Sequence, residues 1–92
     1  MSTPEPDQTV EQLRARIADV DRAIVDRINE RLELVAELWR YKEAHGLPVL
    51  APAREEWMLT YLARANSGPL SEEGLRAIYA EVLALTKREL GA

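Results

Sequence analysis

Apolar residues recur at helical spacing from Leu13 to about His45, and this pattern predicts one long amphipathic α-helix. Successive residues of an α-helix are turned by about 100°, so spacing alone places each residue around its surface. Two permanent cations, Arg31 and Lys42, fall within the main apolar band of this helix. The apolar members of that band are Leu13, Ile17, Val20, Ile24, Val35 and Leu38.

A charge within a band that packs into a core is costly unless an anion meets it. Arg31 and Lys42 are separated by three helical turns, about 16 Å along the axis, so one anionic ligand of about ten carbons fits between their long side chains. Alternatively, both side chains cover the core with their aliphatic stems and carry their charges to the solvent. The pattern alone leaves both interpretations open.

A second apolar band flanks the first, and the two together cover about half of the helix circumference, more than a helix at the edge of a small bundle needs. At about 1.5 Å per residue the helix would be roughly 50 Å long, longer than a compact 92-residue monomer can cover. These features favour a dimer in which the long helix packs against its counterpart, with a kinked or split helix as the alternative. The second band consists of Val25, Ile28, Leu32 and Trp39.

The N-terminal segment lacks the pattern of the long helix. Residues 1–9 contain two Pro and no apolar periodicity, which is typical of a flexible lead-in. The first helix is predicted to start between Val10 and Leu13, and residues 10–92 to form one helical domain. Gly46 is predicted to be the C-cap of this helix, and Pro48 prevents its continuation.

Two shorter helices complete the chain. Pro52 suits the first position of the second helix, which is predicted to continue to about Ala65. Its N-cap would be Ala51, a poor capping residue. Ser71 is a good N-cap for the third helix, which is predicted to end near Leu90. The expected fold class is therefore all-α, with three helices and a long first helix in a homodimeric bundle.

Composition narrows the function classes. Ninety-two residues suggest a single small domain with room for a core. A net charge of −4 argues against a general nucleic-acid binder, and no apolar run approaches the ~20 residues of a membrane span. The absence of Cys excludes disulfides and Cys-ligated metals, and the polar N-terminus has no signal-peptide pattern. The sequence therefore predicts a cytoplasmic protein.

Few residues suggest chemistry. The sequence has no phosphate-binding loop, metal-ligand cluster or nucleophile–base pair, so an enzyme of this sequence would act by binding and electrostatics, without metal or cofactor. Arg14 lies on the second band and either reaches into a partner protomer's site or is exposed. Arg54 and Glu55 fall in the first turn of the second helix, where Glu55 also suits the helix dipole. His45, the only His, is expected to be exposed or to favour the helix C-terminus.

The chain resembles the all-α chorismate mutase family in the order and spacing of several segments between about Leu13 and Glu89. The motif set is spread over most of the chain, which makes the resemblance specific. The matching segments are Leu13-Arg14-Ala15-Arg16-Ile17, Asp21, Asn29-Glu30-Arg31, Arg40-Tyr41-Lys42, His45-Gly46-Leu47-Pro48-Val49 and Arg54-Glu55-Glu56.

This resemblance implies an intertwined homodimer that converts chorismate to prephenate in phenylalanine and tyrosine biosynthesis, by a Claisen rearrangement without a cofactor. Arg14 of one protomer and Arg31 of the other would bind the two carboxylates of the substrate. Lys42 would donate to the ether oxygen, where negative charge grows as the C–O bond breaks. These three residues are the expected catalytic residues.

Five further positions match substrate-binding positions of the family. Arg54, Glu55 and Thr86 would line the site, with Glu55 near the ring hydroxyl and Thr86 inside the apolar face of the third helix. Ala51 and Leu90 stand where the family commonly has Asp and Gln or Glu. The Gln or Glu is a second donor to the ether oxygen, and losing one such donor costs on the order of 10²-fold in rate.

These departures suggest a subclass of short family members that gain activity by docking onto 3-deoxy-arabino-heptulosonate-7-phosphate (DAHP) synthase, the first enzyme of the shikimate pathway. Other interpretations stay open. The chain resembles isochorismate pyruvate lyases and 4-amino-4-deoxychorismate mutases of the same fold; Ala51-Pro52 is similar to the lyase loop, and Glu55 suits a ring hydroxyl or ammonium. A non-catalytic module that binds chorismate or prephenate and a purely structural helical dimer are the remaining alternatives.

Overall fold

The computed structural model describes residues 5–92, and within them the chain forms three α-helices and no strand. These are α1 (Pro6–Ala44), α2 (Pro52–Ala65) and α3 (Glu72–Leu90). The all-α fold class is therefore confirmed. The chain divides into two compact units, and α1 contributes to both. The first unit ends at Glu33, and the second consists of Leu34–Ala92.

Helix α1 begins earlier than the apolar pattern indicated. It starts at Pro6, so the predicted start between Val10 and Leu13 is wrong, whereas the predicted flexibility of residues 6–9 stays a prediction. The reason is local: Pro has a φ suited to the first helical turn and needs no hydrogen-bond acceptor there. In addition, the backbone N–H of Thr9 donates to the carbonyl of Glu5 at 3.0 Å. Residues 1–4 of the predicted lead-in lie outside the described residues.

Helix α1 continues without interruption to Ala44, so the prediction of a split helix as the alternative is wrong. As predicted, Gly46 follows the helix end, and its φ of +66° lies in the left-handed region that favours glycine. The backbone N–H of Leu47 donates to the carbonyl of Lys42 at 2.8 Å and closes the helix end. The connection to α2 therefore turns back directly after the last turn of α1.

The two shorter helices have the predicted bounds, and their N-termini differ in capping. At α3 the hydroxyl of Ser71 accepts a hydrogen bond from the backbone N–H of Gly74 at 2.9 Å. At α2 the N-cap Ala51 has no side chain to accept one, and only its carbonyl bonds to the backbone N–H groups of Arg54 and Glu55. Helix α2, which carries the predicted site residues Arg54 and Glu55, thus lacks a stabilising side-chain cap.

Burial is sparse among the described residues. Leu75 and Thr86, each 5% exposed, are the buried ones, and both belong to α3 where it packs against α2 in the second unit. Helix α1 has no buried residue, and Ile17 on its main apolar band is 59% exposed. Other members of that band that are about half exposed are Leu13, Val20, Ile24 and Leu38. The apolar surface that the pattern assigned to packing is therefore uncovered in the single chain.

None of the helices within residues 5–92 has both the length and the apolar character required to cross a membrane.

Candidate active site

Lys42 lies in the last turn of α1 and is half-buried. Its Nζ donates to the carbonyl oxygen of Val49 at 3.3 Å, so the ammonium is held against the connection that leads to α2. Among the described residues it forms no ion pair with a carboxylate. No carboxylate among the described residues therefore compensates this ammonium, and a half-buried cation without such a partner is suited to an anionic ligand.

Glu55 and Lys87 form an ion pair between α2 and α3. The Nζ of Lys87 lies 3.1 Å from Oε1 of Glu55, and the two side chains are 37% and 32% exposed. The predicted site residue Glu55 is thus engaged with a cation that the sequence pattern had not singled out. A signal was present, because Lys87 lies four residues after Leu83 and three before Leu90, which places it on a face of α3 that carries apolar residues. The same criterion identified Arg31 and Lys42.

Thr86 is buried and directly precedes Lys87 in the chain. Its hydroxyl donates to the carbonyl of Val82 at 2.7 Å, one turn earlier in α3. This hydrogen bond satisfies the hydroxyl inside the apolar face, as is common for Thr within a helix. The structure explains how a polar residue is tolerated there, and the predicted contact of Thr86 with a substrate stays a prediction.

Arg54 is exposed and stacks on its own helix. Its guanidinium carbon lies 3.9 Å from the centroid of the Trp57 ring, and Trp57 in turn stacks on Tyr61 with a centroid separation of 5.3 Å. Arginine over the face of an indole is a favourable cation–π arrangement. In the free chain the guanidinium therefore lies along α2, over the ring of Trp57.

Ala51 and Leu90 are both half-buried. Ala51 offers no polar group besides its backbone, and α3 stays helical through Leu90 before Gly91 adopts a φ of +78°. The neighbouring Glu89 could replace the missing Gln or Glu only if the end of α3 shifted. The helix is regular to its end and Glu89 is exposed, so it does not take the position of Leu90. The two departures noted in the sequence are therefore real differences in the chemistry of these positions.

The two remaining predicted residues belong to the first unit. Arg14 is exposed and pairs with Glu11 at 3.4 Å, with both side chains 73% exposed. Such a pair is weak in water, so a carboxylate ligand can replace Glu11 at little cost. Arg31 is half-buried, in contrast to Arg14.

The structure thus groups six predicted residues in the second unit: Lys42, Ala51, Arg54, Glu55, Thr86 and Leu90. His45 is exposed as expected, stacks on Tyr41, and its Nδ1 donates to the carbonyl of Tyr41 at 2.8 Å. No group of three or more His, Asp or Glu side chains within residues 5–92 is arranged to hold a metal ion.

Comparison with known protein families gives a match over most of the chain. The chorismate mutase type II family matches residues 13–89. That range contains every predicted site residue except Leu90.

Individual relatives agree with this match. A solved structure of chorismate mutase (form I) from Thermus thermophilus superposes with a TM-score of 0.82 at 36% identity, covering 85% of this chain and 98% of that one. A bifunctional chorismate mutase/prephenate dehydratase of Stutzerimonas stutzeri is 33% identical over an aligned length of 85 residues, and the alignment covers 87% of this chain. The chain spans only 23% of the length of that relative. A 4-amino-4-deoxychorismate mutase of Streptomyces venezuelae is 31% identical over 71 residues, covering 76% of this chain and 69% of that one.

Proposed function

The chain belongs to the chorismate mutase type II family, and from this premise we propose that it converts chorismate to prephenate. The reaction is an intramolecular rearrangement: one C–O bond breaks and one C–C bond forms, with no co-reactant, cofactor or covalent intermediate. The observation that carries the proposal is the half-buried ammonium of Lys42, which no carboxylate among the described residues neutralises. Chorismate is a dicarboxylate and needs cations of this kind.

Each predicted catalytic residue has a role in this proposal. Lys42 donates to the ether oxygen, where negative charge grows in the transition state, and its tether to Val49 means that little reorganisation is needed at that moment. Arg31 and the partner protomer's Arg14 bind the carboxylates and hold the substrate in its compact reactive conformer. Glu55 accepts a hydrogen bond from the ring hydroxyl, with Arg54, Thr86, Ala51 and Leu90 around the substrate.

A homodimer is part of the proposal. The uncovered apolar residues of α1 support it, because half-exposed Leu, Ile and Val repeated along one helix gain stability by packing on a second apolar surface. A second copy of the chain presents the same band, so the contact is complementary to itself. Arg14, exposed and weakly paired in the single chain, can exchange Glu11 for a carboxylate of the ligand.

Two further expectations concern the setting of the enzyme. Leu90 offers no second donor to the ether oxygen, which supports DAHP synthase as an activating partner. Mixing the purified chain with that synthase should raise turnover, and unchanged turnover would count against the partner.

A cytoplasmic location stays a prediction, to be tested by fractionation of the cells that make the protein.

The function is tested by incubating the chain with chorismate, following the loss of its absorbance and identifying the product. Prephenate is expected. Replacement of Lys42 by Met removes the charge while keeping the length, and we expect kcat to fall on the order of 10²-fold or more. Arg22→Ala, on the opposite side of α1 and exposed, serves as the control that keeps activity. No loss of chorismate, with or without the synthase, would instead favour a binding module.

A second candidate is the rearrangement of 4-amino-4-deoxychorismate. The Streptomyces venezuelae relative carries that name, and the chain covers 69% of its length. Glu55 suits a ring ammonium as well as a hydroxyl. Product analysis with both substrates separates the two functions.

A further inference from the structure

The ion pair between Glu55 and Lys87 has a consequence for substrate choice. We propose that Lys87 is the residue that makes the site select a neutral hydroxyl over a positively charged ammonium at the ring position that Glu55 faces. This inference rests on the proposed function, since it places Glu55 against the ring substituent. It deepens that function by naming the class of substrate that the site accepts.

The charge of Glu55 is balanced within the chain. A lone carboxylate prefers a cationic partner, because it gains both a hydrogen bond and a charge interaction. Here the Nζ of Lys87 already lies 3.1 Å from Oε1 of Glu55. The carboxylate is therefore charge-compensated before any ligand arrives, and it retains lone pairs that can accept from a hydroxyl.

Lys87 also repels a second cation at the same carboxylate. An ammonium that donates to Glu55 at about 2.8 Å would lie roughly 6–8 Å from the Nζ of Lys87. That separation is within the screening length of about 8 Å at physiological salt. A hydroxyl carries no net charge and is spared this repulsion. Lys87 thus disfavours a substrate with a ring ammonium and does not disfavour one with a ring hydroxyl.

The partial burial of the pair makes the effect larger than at an open surface. Glu55 and Lys87 are about one-third exposed, in contrast to the pair between Arg14 and Glu11, whose side chains are 73% exposed. With an effective dielectric constant between those of water and a protein surface, the repulsion at about 6 Å corresponds to roughly a 3- to 100-fold discrimination. The middle of that range, about tenfold, is the expected size of the effect.

The experiment compares kcat/KM for chorismate and for 4-amino-4-deoxychorismate in four proteins. These are the wild type, Lys87→Met, Lys87→Arg and the control Arg88→Met. Lys87→Met removes the charge at similar length, and Lys87→Arg keeps it. Arg88 is exposed and neighbours Lys87 in the chain, so its replacement makes the same change in net charge elsewhere on α3. The ratio of the two values within one preparation cancels any loss of folded protein.

The wild type is expected to prefer chorismate. Lys87→Met should shift the ratio about tenfold towards the amino substrate, while Lys87→Arg and Arg88→Met should leave it near the wild-type value. An equal ratio in Lys87→Met and Arg88→Met would overturn the inference and leave the proposed function intact. A wild type that prefers the amino substrate would overturn the inference and favour the second candidate function. Absence of turnover of either substrate in the wild type would overturn the proposed function and this inference together.

Discussion

The uncovered apolar band of α1 leads to a quantitative prediction about self-association. Ile17 is 59% exposed in the single chain, so packing against a second copy can bury at most that fraction of it. Replacing Ile17 by Ala removes three carbons, worth about 2.4 kcal/mol if they are fully buried. Because dimerisation can bury only the 59% of Ile17 that is exposed in the single chain, the substitution should weaken the dimer by about 1.4 kcal/mol per protomer.

Because a symmetric dimer contains the residue twice, the loss doubles to about 3 kcal/mol. This corresponds to an increase in the dimer dissociation constant of about 10²-fold. This increase is an upper bound on the effect of losing buried apolar surface. A dimer contact that covers Ile17 only partly would lose less free energy when the side chain is shortened. The substitution should leave the helix content unchanged, because Ala is the best helix former and the residue has no buried contacts within its own helix to lose.

The measurement is sedimentation velocity over a concentration series, with circular dichroism to confirm the helix content. Arg22→Ala is the matched control, because it truncates a long side chain on the opposite side of the same helix. We expect the control to dissociate like the wild type. A wild type that is monomeric at every concentration, or an equal dissociation constant for the Ile17 and Arg22 variants, would refute the assignment of this band to the dimer contact.

Two other substitutions test the departures at the site. Ala51→Asp supplies the side-chain acceptor that α2 lacks and should raise the free energy of unfolding, measured in urea, by about 1 kcal/mol. An unchanged free energy of unfolding would mean that the cap geometry keeps the carboxylate away from the helix N–H groups. Leu90→Gln adds a donor at the end of α3 and should raise kcat for chorismate on the order of 10²-fold in initial-rate assays, whereas an unchanged rate would place Leu90 away from the ether oxygen.

The candidate site was only partly accessible from the sequence. Lys42 and Arg31 were identified because a charge at an apolar position of a helix contradicts the local pattern. Lys87 satisfies the same criterion on α3 and was overlooked, since no motif drew attention to it. Its contact with Glu55 depends on how α2 packs against α3. The spacing of apolar residues along the chain does not show which residues of two helices will meet.

The start of α1 shows a second limit of pattern reading. Apolar periodicity begins only near Val10, but the helix begins at Pro6. Polar residues form helix as readily as apolar ones when the first turn is favourable, and Pro6 with Asp7 provides such a turn. The periodicity therefore marked where a helix has an apolar face to pack, and it left the polar first turns unmarked.

The amino-acid sequence by itself determined the local features of this protein: the number of helices, the ends of α2 and α3, and the glycine that ends α1. These depend on backbone hydrogen bonds and caps within a few residues of each other, so the information is present in short segments. Only the tertiary structure decided which surfaces are covered. It showed that Thr86 and Leu75 are buried, that the band of α1 is not, and that Glu55 meets Lys87. Burial and ion pairing between helices follow from packing in space, which a linear pattern does not specify.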